Sequence, residues 1–155
     1  MDPQRAAFVE GFALQLAQAG MQRMASRVFA ALLVAPSDGL TAREIADALG
    51  VSAASVSTAT TYLTRTGLIE RTRVPGERVD RYATDGTRWV EATLVETQNL
   101  ATMNEWLARG VDAAADDPGA VERLRETQDF FAYLIDELPR LVERWRHERS
   151  AVSGR

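Results

Sequence analysis

Residues 41–85 read TAREIADALGVSAASVSTATTYLTRTGLIERTRVPGERVDRYATD. Thr41 with Glu44 three residues later is a capping box, which opens a short helix from Thr41 to Leu49. That helix turns Ile45, Ala48 and Leu49 inward, and Gly50 suits the left-handed position at its end. Ser52 caps a second helix that runs to about Thr66, burying Val56, Ala59 and Leu63 and ending at Gly67. Leu68 to Val74 alternates, with Leu68, Glu70, Thr72 and Val74 on one side and Ile69, Arg71 and Arg73 on the other. The alternation leaves the inward side open. Pro75-Gly76 is a turn signal, and Val79 to Ala83 returns as a second strand.

Two short helices joined by Gly50 and Val51, followed by a hairpin, are the parts of a winged helix-turn-helix. The second helix shows an outer face of small polar groups: Ala54, Ser57, Thr58, Thr61 and Arg65. Nothing large or acidic stands on it, so it fits a major groove about 12 Å wide. Its N-terminus, Ser52 to Ser55, offers free backbone N–H groups to a phosphate. Ser and Thr are mediocre helix formers, so their density here points to a use other than helix stability. The competing reading is a solvated Ser/Thr-rich face. Around Pro75-Gly76 stand Arg71, Arg73, Arg78 and Arg81, placed to reach the minor groove, where the potential is negative. Glu77 and Asp80 oppose this unless they orient the arginines through bidentate pairs.

Before this stretch, Gln4 to Gln18 spaces Phe8, Phe12 and Leu16 on one face of a helix, and Gly20 interrupts it. Met21 to Val34 is a further helix with Met24, Val28, Ala31 and Leu32 inward. On the other side, Gly86 to about Ala115 is a long helix carrying Trp89, Leu100, Met103, Trp106 and Leu107. Asp117 caps a last helix, with Pro118 in its first position, running to about Arg149. Val121, Leu124, Phe131, Ile135, Leu138, Val142 and Trp145 lie three and four apart in it, with Gln128 in the one polar slot, a heptad seam. Pro139 falls inside the seam and is expected to kink it near Ile135. The fold class is therefore mainly α with a small β-hairpin wing. The expected organisation is an N-terminal dimerisation helix (1–20), a winged helix-turn-helix domain (21–85) and C-terminal dimerisation helices (86–155).

Composition agrees. Hydrophobic residues make up 46% of 155 and charged residues 26%, enough apolar material for a core. The net charge of −4 is unevenly spread. Thr41 to Val90 holds seven arginines and six acidic residues, net +1, against −5 for the remainder. The chain has no cysteine, which excludes disulfides, thiolate metal sites and cysteine nucleophiles. Its one histidine, His147, makes a poor metal ligand or catalytic base alone, and no Gly-rich phosphate loop appears. Neither an enzyme nor a cofactor or metal is expected. No stretch approaches the roughly 18 apolar residues of a membrane span, and no signal peptide is apparent, so a cytoplasmic location is expected.

The stretch from Leu40 to Ala83 resembles the DNA-binding domain of MarR-type repressors, especially the GbsR-like branch. FVEGFALQLAQAGMQRMASRVFAALLV (residues 8–34) and the two long helices after the domain are similar to actinobacterial repressors of MmpL-type lipid and drug efflux pumps. The resemblance implies that the helix at Ser52–Thr66 reads the major groove and that Arg78, after Gly76-Glu77, enters the minor groove. It implies too that the first and last two helices make the dimer. Asp80 departs from the more basic wings of such relatives.

The expected function is thus a homodimeric DNA-binding regulator of transcription, a repressor acting on an inverted-repeat operator. The DNA-contact set is Ser52, Ala53, Ala54, Ser55, Ser57, Thr58, Thr61, Arg65, Arg73, Arg78 and Arg81. Phe8, Phe12, Trp89, Met103, Trp106 and Phe130 are candidates to line a pocket for a small apolar or lipid-like effector. The plainer reading of those side chains is core and dimer packing. Two other functions stay open: a winged-helix module that docks protein, and a constitutive regulator with no effector.

Overall fold

Asp2 accepts hydrogen bonds from the backbone N–H groups of Gln4 and Arg5, at 3.1 and 3.0 Å, and with Pro3 starts the first helix. The computed structural model describes residues 2–73 and 79–153. In chain order it contains α1 (Pro3–Gln18), α2 (Arg23–Leu33), β1 (Leu40–Thr41), α3 (Ala42–Leu49), α4 (Ala53–Arg65), β2 (Glu70–Arg73), β3 (Asp80–Ala83), α5 (Arg88–Ala113) and α6 (Pro118–Ser153). The protein is mainly helical with a small antiparallel sheet. It divides into two compact units, Met1–Glu91 and Ala92–Arg155.

In the first unit the helix ends follow from local chemistry. The Thr41 N–H donates to Glu44 Oε2 at 2.7 Å and the Glu44 N–H donates to Thr41 Oγ1 at 3.2 Å, completing the capping box of α3. Gly50 closes α3 with φ 63°, and Ser52 caps α4 by accepting from the Ser55 N–H at 3.2 Å. The core gathers Val9 from α1, Ala25, Val28 and Phe29 from α2, Ile45 from α3, Val56 and Leu63 from α4, and Leu68 and Ile69 from the turn into β2. Both Leu68 and Ile69 are buried because the chain has not yet become a strand there; pairing begins at Glu70.

Three features differ from the sequence expectation. The buried stripe of α1 is Val9, Ala13 and Leu16, and Phe8 is exposed. Small Ala13 permits close packing of α1, while Phe8 stacks on Phe12 with ring centres 5.5 Å apart. In α3 the alanine turned inward is Ala46; Ala48 faces solvent. The hairpin gains a third strand, so the sheet order is β1-β3-β2, with Leu40 opposite Tyr82 on one side and Arg71 opposite Tyr82 on the other. Gly39, just before β1, has φ 76°, and a Cβ there would stand 2.4 Å from the Tyr82 carbonyl oxygen, so only glycine lets the strand approach.

In the second unit Asp117 caps α6 by accepting from the Gly119 and Ala120 N–H groups, at 3.0 and 3.1 Å. α6 is continuous through Pro139. Leu124 of α6 lies against Gly110 of α5, where a Cβ would meet its methyls at 3.4 Å.

Candidate nucleic-acid interface

α4 presents two faces with different jobs. Val56, Ala59, Thr60 and Leu63 are buried, whereas Ala53, Ala54, Ser57, Thr58, Thr61, Thr64 and Arg65 are exposed, and the helix contains no acidic residue. Ser55 is half-buried and pairs with Ser52, their hydroxyl oxygens 2.9 Å apart. The hydroxyl protons on this face are partly committed. Thr58 donates to the Ala54 carbonyl at 3.2 Å and Thr61 to the Ser57 carbonyl at 2.8 Å. What those two threonines show the exterior is therefore acceptor lone pairs, which match base amino donors and not phosphates. The hydroxyl of Thr64, one turn on, makes no hydrogen bond among the described residues.

The sheet positions the arginines by strand period. Arg71 and Arg73, two apart on β2, share a face. Asp80, opposite Arg73, serves both: its carboxylate accepts from Arg71 Nη2 and lies 3.6 Å from Arg73 Nε. The Arg71 guanidinium holds the Asp80 carboxyl below the usual carboxylate range. Asp80 thus fixes where two guanidiniums point.

Arg81 differs from the expectation that it joins this cluster. It is paired with Thr72, so it projects from the opposite face of the sheet, and its side chain is only 18% exposed. Its Nη1 donates to the Gly39 carbonyl at 3.0 Å and lies 3.5 Å from Asp38 and 3.8 Å from Glu44. It ties β3 to the start of α3. Arg78 lies outside the described residues. Arg65 extends from the end of α4, its guanidinium 6.0 Å from the centre of the Tyr62 ring.

Thr60, Thr64 and Tyr82, which the sequence pattern did not single out, meet Thr61, Arg65 and Arg71 here. Thr60, Thr61, Thr64, Arg65, Arg71 and Tyr82 line a notch of about 280 Å³ between α4 and the sheet. The signal for Thr64 was present, since Ser57, Thr61 and Thr64 follow the helical period. At the sheet's other end, Arg88 Nη2 at the start of α5 donates to the Glu70 carboxylate on β2.

The six candidate effector residues fall into separate groups. Phe8 stacks on Phe12, and Trp89 meets the edge of buried Phe29, ring centres 5.4 Å apart. In the second unit Met103 and Trp106 line a groove of about 400 Å³ together with Leu107, Leu124, Thr127 and Phe131. Phe130 sits beside Phe131 with centres 6.5 Å apart, and Arg109 lies 4.7 Å over the Trp106 ring. Among the described residues no three His, Asp or Glu side chains are grouped to hold a metal ion, and no helix is long and apolar enough to cross a membrane.

Comparison with known proteins points the same way over both units. Residues 19–78 match the model of the MarR family, and residues 87–148 match that of MmpR5-like MarR family transcriptional regulators. A curated relative, the HTH-type transcriptional regulator MmpR5 of Mycobacterium tuberculosis, is 28% identical over 134 residues, 86% of this chain and 81% of that protein. A crystal structure described as a transcriptional regulator superposes with a TM-score of 0.87 at 26% identity, covering 94% of this chain and 99% of that one.

Proposed function

The chain belongs to the MarR family of winged-helix, DNA-binding transcriptional regulators, and from that premise we propose that it acts as a homodimeric repressor of an inverted-repeat operator. Each protomer lays α4 in the major groove and carries the β2–β3 wing to the adjacent minor groove. The observation that carries this reading is the outer face of α4: small, hydroxylated, free of acids, and flanked by Arg71 and Arg73 that Asp80 holds in place. Ser52 to Ser55, Ser57, Thr58, Thr61, Arg65, Arg73 and Arg78 make the contacts. Arg81 serves from behind, by fixing the sheet against α3.

The dimer is formed by α1 (within 1–20) and by the helices of 86–155, leaving 21–85 to the DNA. The second unit supports this. Among its described residues only Thr97, Leu100 and Val142 are buried, while Trp106, Phe130, Tyr133 and Leu141 are each more than half exposed. Two long helices with so little interior need a second pair to cover their apolar faces.

The groove lined by Met103, Trp106 and Phe131 supports an apolar effector that releases DNA. Such a ligand acts only by binding the DNA-incompetent arrangement better than the competent one; a difference of about 2 kcal/mol lowers DNA affinity roughly thirtyfold.

A mobility shift on duplex DNA over a range of salt concentrations tests the reading. Steep loss of affinity with salt is the expected result, because phosphate binding releases counterions. A salt-independent complex, or none, contradicts it and favours docking of protein.

A further inference from the structure

A protein with one element in the major groove and another in the adjacent minor groove must straddle the sugar–phosphate strand that separates them. If α4 and the wing occupy those grooves, the strand crosses the gap between α4 and the sheet. That gap is the notch lined by Thr60, Thr61, Thr64, Arg65, Arg71 and Tyr82. Its chemistry is one-sided: two guanidiniums, hydroxyls and a phenol, with no carboxylate in the lining.

The donors are also free to act. Thr60 and Thr61 spend their hydroxyl protons on the Ser57 carbonyl, at 3.1 and 2.8 Å. The side-chain hydroxyls of Thr64 and Tyr82 have no hydrogen-bond partner among the described residues, so both O–H groups can donate. Arg71 gives Nη2 to Asp80, which leaves the other N–H groups of its fork and fixes its direction. Arg71 and Tyr82 stand directly opposite one another on β2 and β3, so both project from the same face of the sheet.

We infer that this notch is a phosphate clamp, in which Thr64, Arg71 and Tyr82, with Arg65, grip a backbone phosphate of the strand between the two grooves. The clamp rests on the proposed placement of α4 and the wing. It adds Thr64, Arg71 and Tyr82 to the contact set and gives them a role blind to base sequence.

The test uses the full chain and a duplex that it selects from a random-sequence pool, remade with a single methylphosphonate at each backbone position in turn. For the wild type, neutralising one phosphate per half-site is expected to weaken binding about tenfold. Tyr82→Phe and Thr64→Val, which keep size and shape, weaken binding to the native duplex and lose little more when that phosphate is neutral. Arg71→Gln lowers the salt slope by about one, whereas Tyr82→Phe leaves the slope unchanged. Base preference stays as in the wild type for all three. The clamp is overturned if the wild type selects a duplex but the variants remain as sensitive to that phosphate as the wild type, or if they change the bases selected. A wild type that selects no duplex overturns the placement of α4 first, and the clamp with it.

Discussion

Arg27 on α2 grips Glu10 on α1, donating from Nε at 3.0 Å and from Nη2 at 2.6 Å. The same Nη2 donates to the Leu49 carbonyl at 3.2 Å, in the last turn of α3. One guanidinium therefore joins the N-terminal helix to the turn of the helix-turn-helix. Arg27→Met keeps the stem and removes every one of the guanidinium's bonds to Glu10 and Leu49. Glu10 is more than half exposed, so the ion pair itself is worth little, and most of the loss comes from the Leu49 carbonyl. The expected cost is about 1–2 kcal/mol in urea unfolding, with Glu10→Gln costing clearly less. Equal costs would show that the ion pair, not the carbonyl, dominates.

Gly39 and Tyr82 set the contact of β1 with the sheet. Gly39→Ala places a methyl group against the Tyr82 carbonyl in a left-handed backbone position. We expect a loss of at least about 2 kcal/mol, because the steric clash adds to the backbone strain. Thermal unfolding followed by circular dichroism measures it; an unchanged midpoint would mean that β1 moves away at no cost.

Glu44 links stability to pH. The Thr41 backbone N–H, then its hydroxyl, and then the charge of Arg81 hold the Glu44 carboxyl below its ordinary value of 4.5. A lowered folded-state value means the stabilisation is complete above about 4.5 and is lost as pH falls through the lowered value. Thr41→Ala removes the cap at a cost of about 1 kcal/mol near neutral pH. Glu44→Gln should flatten the dependence of unfolding free energy on pH below 4.5 relative to wild type. Parallel curves for the two proteins would place the acid sensitivity elsewhere, with Asp80 and Asp85, also lowered, the next to examine.

Thr61 separates base reading from backbone binding. Its proton belongs to the Ser57 carbonyl, so Thr61→Val deletes an acceptor and little else. Selection from a random pool should show relaxed preference at one position per half-site, by about fivefold, the worth of one hydrogen bond. Affinity for an unrelated duplex should not change. A uniform drop on every sequence would instead make Thr61 a backbone contact.

Helix ends were legible because caps are local: Thr41 with Glu44, Ser52, Gly50 and Asp117 each act within a few residues of themselves. The face of α1 was harder. Large Phe8 and Phe12 attract attention by size, yet Ala13 is buried, and smallness does not stand out in a periodic pattern. β1 has two residues, too few for any alternation, and exists because β3 passes beside it. The roles of Asp80 and Arg81 depend on which strand face each occupies, a parity fixed by pairing across the sheet. Thr64 shows the opposite case, a residue on the helical period whose use emerges only when Arg71 and Tyr82 arrive beside it.

The absence of cysteine makes the central claim directly testable. Ser57→Cys puts a unique thiol on the outer face of α4, and Glu126→Cys puts one on exposed α6 as a control. Each is incubated with the selected duplex carrying a disulfide-tethered base that projects into the major groove. Rapid, position-specific cross-linking of Ser57→Cys, with none from Glu126→Cys, is the predicted result. Cross-linking of the two at equal rates, or only at random positions along the duplex, would contradict the placement of α4 in the groove.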